Sequence, residues 1–417
     1  MEPSQQEIDA QNMFKNLGLE LPFVHTQEIG DVAKLSDNKE EVQIIESDNQ
    51  KDTILNEEKI DIGTYSPDLK ELHEMRKKLE ILKNKVDSMK IEQDNIYDII
   101  KLDIGGSHDM YKCHIKGKRG IYYLKPGVRK GGEAIDPYRS EAMKAAYIIQ
   151  TITNPDNAVF ADVVEVPGTK IGLSNDDMII CSVIEAIPDT TSYDGWYKEA
   201  NSSLSSKEVS SFIQECIADY LLFSYDTKGE NFLRDKYGNT YGIDKEQALK
   251  YILSPTFATQ DKATGEYTFD TSFRKHNSQE ADFNHCGLLY VKLFDEISHG
   301  KIDLNSENIK VAITAIERIE EVGDEEYKKI FKRFIDRFIE STQLISKINF
   351  YIEKGLSEED AQEQVKKDLY DSLLARKHKL REEFTIYFNT ILDSYSSSKG
   401  VDVSEWKRML NNQEKMK

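Results

Sequence analysis

One polar loop constrains this chain more than any other stretch. It carries Asp226, Lys228 and Asn231, and it directly follows a strongly apolar segment. A second acid, Asp244, comes thirteen residues after Asn231, at the end of a short apolar segment. Two oxygen ligands separated by a hairpin suit Mg²⁺, because this ion binds few protein oxygens and completes its shell with phosphates and water. The loop therefore predicts a magnesium–nucleotide site, where positioning and charge neutralisation matter more than covalent chemistry.

Length and composition limit the alternatives. The chain has 417 residues, enough for two or three domains, with a net charge of -20. This acidity argues against nucleic-acid binding, and no polybasic patch for an anionic membrane is visible. The four cysteines form no Cys-x-x-Cys pair, which favours reduced thiols. We find neither a secretory signal pattern nor an apolar run long enough to span a membrane, so we predict a cytoplasmic protein without an integral membrane segment.

The N-terminal part of the chain divides into two segments. Residues 1–64 are acidic with scattered apolar residues, which predicts a flexible leader or one that folds on a partner. Residues 65–95 predict an amphipathic helix, because Ser66 can cap it, Pro67 suits its first position, and apolar residues then recur every three or four positions. This stripe suits either a coiled-coil dimer or packing on the chain's own later domain. We favour packing, because the repeat barely lasts three heptads.

Residues 96–187 change to a strand pattern. Short apolar segments at 99–104, 110–115 and 121–126 are separated by glycine turns, which predicts an antiparallel meander. A helix is predicted over 138–151, and further strands over 159–166 and 178–187.

The rest of the chain is predicted to be mainly helical. A polar connection at 189–206 precedes the helix that leads into the central loop, and a polar segment follows at 245–278. Helical spacing of apolar residues predicts helices over 308–319, 327–352, 357–374 and 381–395, with a marginal one over 401–416.

The central loop resembles the catalytic loop of protein kinases, Asp-x-Lys-x-x-Asn, here Asp226-Thr227-Lys228-Gly229-Glu230-Asn231. Ile243-Asp244 stands where the metal-binding Asp follows in that superfamily. The preceding region is most similar to the atypical, phosphatidylinositol 3- and 4-kinase-like group. The motifs that carry this resemblance are Gly105-Gly106-Ser107, Leu124-Lys125-Pro126, Asp136-Pro137-Tyr138 and Arg139-Ser140-Glu141, together with Ile243-Asp244-Lys245 after the loop. The resemblance covers residues from about 100 to 253.

Several positions depart from the ordinary protein-kinase pattern. The His-Arg before the catalytic Asp is Ser224-Tyr225, and Lys245-Glu246 replaces the Phe-Gly after the metal-binding Asp. No Ala-Pro-Glu follows. These departures put regulation through an activation loop in doubt. They also put in doubt that the acceptor is a protein rather than a lipid.

The resemblance implies a role for each matching residue. Asp226 would position or deprotonate an acceptor hydroxyl, and Lys228 would neutralise the transferred group. Asn231 and Asp244 would hold Mg²⁺. Lys125, held in place by Glu141, would bind the nucleotide phosphates. Gly105, Gly106 and Ser107 would cover those phosphates. The backbone of a hinge from Glu185 to Ile187 would recognise adenine.

The resemblance implies an α+β, two-lobed kinase-like fold. Residues 96–187 would form an antiparallel-sheet N-lobe with the hinge, and residues 188–300 a mainly helical C-lobe. The helices of 301–417 would extend that lobe or form a separate bundle, and they and the helix of 66–95 are candidate partner-binding surfaces.

The predicted function is ATP- and Mg²⁺-dependent phosphoryl transfer to a hydroxyl, with a protein acceptor preferred. The alternatives are a lipid or small-molecule acceptor, nucleotidyl transfer on the same fold, and a non-catalytic interaction protein. The acidic leader, the helical additions and the missing secretory signal also suit a bacterial effector exported into a host cell.

Overall fold

The computed structural model describes residues 91, 93–103, 109–127, 138–173, 177–198, 203–278 and 288–411. The predicted leader, the predicted helix up to residue 90 and the Gly105-Gly106-Ser107 turn lie outside this range. Residues 93–95 form a short 3₁₀ turn that leads into the first strand.

A five-stranded antiparallel sheet forms the first part of the fold. Its strands are β1 (Ile96–Leu102), β2 (Met110–Ile115), β3 (Tyr122–Pro126), β4 (Ala161–Pro167) and β5 (Met178–Glu185), in the order β1-β2-β3-β5-β4. Side chains alternate between buried and half-buried along β2 and β3, as expected for strands with one face on a core. The predicted antiparallel sheet is confirmed.

Helix α1 (Tyr138–Thr153) lies between β3 and β4 in the chain and packs on β4. Its buried side includes three alanines, which let neighbouring elements approach closely. The helix predicted over 138–151 is therefore present and two residues longer.

A second sheet of three short strands positions the central loop. It contains β6 (Thr190–Ser192), β7 (Phe232–Asp235) and β8 (Thr240–Gly242), with β7 in the middle. Helix α2 (Asp194–Lys198) follows β6, and helix α3 (Ser206–Leu221) starts at a capping box formed by Ser205 and Glu208. The segment predicted as a polar connection thus contains a strand, because β6 takes its hydrogen bonds from β7, about forty residues away in the chain.

The remaining elements are mostly helices. The polar segment after Asp244 contains a hairpin, β9 (Ala258–Gln260) with β10 (Tyr267–Phe269), and a one-turn helix, α4 (Phe273–His276). The helices that follow are α5 (Leu289–Ser298), α6 (Ser306–Glu321), α7 (Asp324–Phe338), α8 (Ile345–Glu353), α9 (Glu358–Lys399) and α10 (Ser404–Asn411).

Two predicted helix boundaries are wrong. The helix predicted over 327–352 is interrupted between Phe338 and Ile345, giving α7 and α8. The two helices predicted over 357–374 and 381–395 are one helix of 42 residues, α9. The charged stretch between them continues the helix, because Arg376 and Lys377 in that stretch are buried against the rest of the fold.

The C-terminal helices share one hydrophobic core with α1 and α3. A single cluster of buried side chains extends from Tyr138 to Leu410, and a smaller cluster fills one face of the five-stranded sheet. The α+β class and the helical C-terminal part are as predicted. No helix in the described ranges is both long and apolar enough to cross a bilayer.

Candidate active site

The central loop begins with a sharp turn at the C-terminal end of α3. Phe223 adopts a left-handed conformation with φ of 48°, and the amide of Ser224 donates to the Asp219 carbonyl oxygen over 2.9 Å. A left-handed conformation at a bulky residue is strained and persists only where surrounding contacts hold it. This turn ends α3 and begins the loop that carries Asp226.

Asn231 is fixed against the backbone of the same loop. Its Nδ2 donates to the Asp226 carbonyl oxygen over 2.7 Å, and its side chain is buried. The residues between Asn231 and Asp244 fold into the β7–β8 hairpin, and the Ile243 amide donates to the Asn231 carbonyl oxygen over 2.9 Å. Asn231 and Asp244 therefore lie at the same end of one hairpin.

Two glycines permit the close packing of this loop. A Cβ on Gly229 would lie 2.9 Å from backbone atoms of Tyr193 and Asp194. A Cβ on Gly242 would overlap Oε2 of Glu215, which is buried in α3. Larger residues at either position would displace the loop or the hairpin.

Lys125 reaches this loop from the end of β3. Its Nζ lies 3.1 Å from Oδ1 of Asp244 and 2.6 Å from Oε2 of Glu246. Burial lowers the pKa of Lys125, but the charges of Asp244 and Glu246 outweigh burial, so the pKa lies above its ordinary value. The five-stranded sheet and the loop after β8 thus meet through one ammonium group and two carboxylates.

The predicted pairing of Lys125 with Glu141 is wrong. Glu141, only 2% exposed, lies in the first turn of α1, and its Oε1 is 2.9 Å from Arg333 Nη2 and 3.1 Å from Arg337 Nε. Both arginines belong to α7, and α1 packs on α7 through Tyr138, whose ring contacts the aromatic side chains of that helix edge-on. This packing directs Glu141 towards the C-terminal helices.

Glu246 takes the position beside the lysine that was predicted for Glu141. It also lies 3.9 Å from Arg139 of α1. Glu246 was missed, because the sequence resemblance assigned no role to the residues after Asp244. The sequence signal for Glu246 was the charged pair Lys245-Glu246, which stands where ordinary protein kinases have Phe-Gly.

Asp226 and Lys228 belong to the same electrostatic environment. Burial raises the pKa of Asp226, and the charges of Asp244 and Glu246 add to the increase, while Lys228 opposes it. For Lys228, burial lowers the pKa, but the charges of Asp226, Glu230 and Asp244 outweigh burial and raise it. The structure therefore brings five predicted site residues together: Lys125, Asp226, Lys228, Asn231 and Asp244.

The predicted hinge begins at Glu185, the last residue of β5, and ends before β6. The amide of Glu185 donates to the Phe160 carbonyl oxygen over 2.9 Å, and the amide of Ala186 donates to the Ile121 carbonyl oxygen over 3.0 Å. The carbonyl oxygen of Ile187 accepts from Thr190 Oγ1. Glu185 and Ile187 are half-buried, so the segment is fixed by backbone contacts while part of it faces solvent.

A cluster of buried polar side chains surrounds Lys245, the residue that follows Asp244. Lys245 Nζ lies 2.8 Å from both carboxylate oxygens of Asp219, and Tyr290 donates to the same carboxylate over 2.8 Å. Glu215 accepts from Gln150 over 2.9 Å and from Asn154 over 3.1 Å.

The cluster ties α1, α3 and α5 to the residue after Asp244. Burial raises the pKa of Glu215 to about 7, although Lys245 opposes this. The cluster was not predicted, because Glu215 and Asp219 lie within the mainly apolar segment 212–223. Their spacing of four residues, which puts both acids on one helix face, was the signal.

The oxygen atoms of Asn231 and Asp244 suit a magnesium ion. The hydrogen bond from Asn231 Nδ2 to the loop backbone leaves its Oδ1 as the ligand atom, and Asp244 supplies a carboxylate. Mg²⁺ needs only one or two protein ligands when phosphates complete its shell. No group of three or more His, Cys, Asp or Glu side chains with metal-binding geometry occurs among the residues that the structure describes.

Comparison with known proteins adds no assignment, since no protein-family model matches the chain and no curated protein matches it significantly.

Proposed function

We propose that this chain is an ATP- and Mg²⁺-dependent phosphotransferase with a kinase-like fold. The observation that carries the proposal is the meeting of Lys125 and Asp244 across 119 residues of sequence, beside Asp226, Lys228 and Asn231. A lysine, a candidate proton acceptor and two magnesium ligands are the groups that phosphoryl transfer from ATP requires.

Asp226 is the proposed acceptor-positioning residue. Its carboxylate would accept a hydrogen bond from the acceptor hydroxyl and take its proton as the acceptor oxygen bonds to the γ-phosphorus. The bond from that phosphorus to the β–γ bridging oxygen breaks, and ADP leaves. The raised pKa of Asp226 makes the carboxylate a better proton acceptor. Lys228 would lie beside the negative charge of the transferred group.

Lys125 is the proposed phosphate-binding residue. Phosphate oxygens would replace the carboxylates of Asp244 and Glu246 around its ammonium group. Asn231 and Asp244 would then hold magnesium, which when bound supplies charge neutralisation at the β- and γ-phosphates. The backbone of 185–187 would receive the adenine ring.

A protein hydroxyl is the proposed acceptor, because no basic lipid-facing patch was found in the sequence. The position of the retained label distinguishes phosphoryl transfer from transfer of the nucleotide itself. The identity of the labelled acceptor distinguishes a protein from a lipid or a small molecule. Export into a host cell as an effector is part of the same proposal and rests on the character of the sequence.

The test is incubation of the full chain with Mg²⁺ and ATP labelled at either the γ- or the α-phosphate, with protein and lipid extracts as acceptors. We expect label from the γ-position only, on protein, and loss of transfer in Asp226→Ala. Asp156→Ala, which changes an exposed acid in the turn after α1, is the matched control. Retained α-label would assign nucleotidyl transfer, and equal transfer by Asp226→Ala would disprove the role of Asp226.

A further inference from the structure

Arg376, in the middle of α9, is among the most buried side chains of the fold, with 1% of its surface exposed. Its two terminal nitrogens donate to the carbonyl oxygen of Tyr220 and, over 2.6 Å, to the hydroxyl of Tyr225. Its guanidinium carbon lies 3.5 Å from the ring centre of Phe223. All three contacts fall on the six residues that precede Asp226.

The charge of Arg376 is compensated in an unusual way. Among the described residues Arg376 forms no ion pair with a carboxylate, and its Nε has no hydrogen-bond partner. The Tyr220 carbonyl belongs to the negative end of the α3 dipole, and the faces of Phe223 and Phe257 add cation–π attraction. A buried charge is costly, and an apolar side chain of similar size would often be more stable. Filling space alone does not explain an arginine here.

The turn that Arg376 contacts is the strained one. Phe223 has the left-handed φ of 48°, and the guanidinium lies against its ring while holding the helix end on one side and Tyr225 on the other. Tyr225 is further enclosed by Phe257, stacked at 4.9 Å, and by His276 at 4.7 Å. Tyr225 directly precedes Asp226, so the direction of Asp226 depends on this packing.

We propose that Arg376 is a positioning residue for the loop that carries Asp226, Lys228 and Asn231. The residues before Asp226 are Ser224 and Tyr225, and the arginine that secures them comes from 151 residues later in the chain. The helix at Glu358–Lys399 is therefore part of the site. The importance of this contact for phosphoryl transfer rests on the proposed function, whereas its effect on the loop does not.

The test compares Arg376→Met with Lys377→Met in the full chain. Lys377, also buried in α9, pairs with Asp324 at 2.7 Å and has no hydrogen bond or ion pair to the loop among the described residues. Lys377→Met therefore also removes a buried cation from α9, but it leaves the hydrogen bond between Arg376 and Tyr225 in place. Tyr225→Phe removes one hydrogen bond of Arg376 and keeps the ring.

The first measurement is amide hydrogen exchange of peptides covering 222–231. We expect Arg376→Met to accelerate their exchange at least about tenfold, Tyr225→Phe to do so less, and Lys377→Met to lower the melting temperature without a selective effect there. The second is kinetics: kcat should fall at least about tenfold in Arg376→Met, with the dissociation constant of Mg²⁺–ATP unchanged within about twofold.

Unchanged exchange in Arg376→Met, or equal loosening by Lys377→Met, would overturn the inference. If the wild-type chain is active, faster exchange of 222–231 in Arg376→Met with an unchanged kcat would also overturn the inference. If the wild-type chain transfers nothing from ATP while Arg376→Met selectively loosens 222–231, the proposed function fails and the positioning role stands. Should Arg376→Met not fold, Arg376→Lys and Tyr225→Phe supply the same comparison.

Discussion

The ammonium nitrogen of Lys125 lies 3.1 Å from a carboxylate oxygen of Asp244, although 119 residues separate the two in the chain. Lys125 is the penultimate residue of β3 in the five-stranded sheet, and Asp244 follows the β7–β8 hairpin. Their contact joins the two sheets at the point where the sequence predicts phosphate and metal binding. In the protein alone, the ammonium group of Lys125 is shared between the carboxylates of Asp244 and Glu246.

Replacement of Asp244 by alanine tests the metal site. We expect Asp244→Ala to lose the Mg²⁺ dependence of ATP binding, because only Asn231 would remain as a proposed protein ligand. The measurement is thermal melting with ATP, with Mg²⁺ and with both; a ligand at ~100 times its dissociation constant adds about 2.7 kcal/mol. Asp156→Ala should behave like the wild type. Metal-dependent stabilisation that survives in Asp244→Ala would show that Asp244 is not the ligand.

On the proposed function, Glu246 would compete with phosphate for Lys125. We expect Glu246→Gln to bind Mg²⁺–ATP several-fold more tightly, because the ammonium group no longer has to leave a carboxylate at 2.6 Å. The protein without nucleotide should become less stable by about 1.5–3 kcal/mol, the usual value of a hydrogen bond to a charged group. Calorimetric titration and urea unfolding measure the two effects.

Lys125→Met is the matched comparison, since it should weaken nucleotide binding strongly. If Glu246→Gln weakens binding as Lys125→Met does, Glu246 holds the lysine in its productive position and is not a competitor.

Glu141 is expected to stabilise the fold without contributing to nucleotide binding. Its charge pairs with Arg333 and Arg337, which are partly exposed and can be solvated when the carboxylate is lost. Glu141→Gln should therefore cost about 1–2 kcal/mol of unfolding free energy and leave the dissociation constant of Mg²⁺–ATP within about twofold. A large loss of affinity at unchanged stability would restore the role first predicted for Glu141.

Local patterns were sufficient for much of the fold and part of the site. Alternation and glycine turns predict the strands of the first sheet, and the spacing of Asn231 and Asp244 predicts a hairpin that brings them together. The partner of Lys125 could not be predicted, because the order of helices and strands alone allows either Glu141 or Glu246 to lie beside it. The choice depends on the packing of α1 against α7, whose arginines lie almost two hundred residues after Glu141.

Arg376 illustrates a second limit. The charged stretch around it interrupts the apolar spacing of α9, and this pattern usually indicates a solvated break between helices. Here Arg376 and Lys377 point into the fold, where Tyr225 and Asp324 are their partners. Sequence periodicity reports how apolar side chains are spaced, and it cannot distinguish a buried charge with a distant partner from an exposed one.

The buried polar cluster around Lys245 predicts a pH dependence of stability. Burial raises the pKa of Glu215 from 4.5 to about 7 in the folded protein. Between these values the folded state binds more protons than the unfolded state, so the stability contributed by this group falls as pH rises from about 4.5 to 7 and is lost above that. Glu215→Gln, which resembles the protonated acid, should therefore gain stability relative to the wild type over this window, by about 3 kcal/mol.

Urea unfolding of both proteins at pH 5, 6, 7 and 8 measures the difference. Lys245 and Asp219, which face Glu215, are unchanged in the comparison, and Asp156→Asn controls for the loss of one acid. A difference that stays constant across this range would mean that Glu215 is ionised throughout. Its negative charge would then lie 3.9 Å from the ammonium group of Lys245, the residue that follows Asp244.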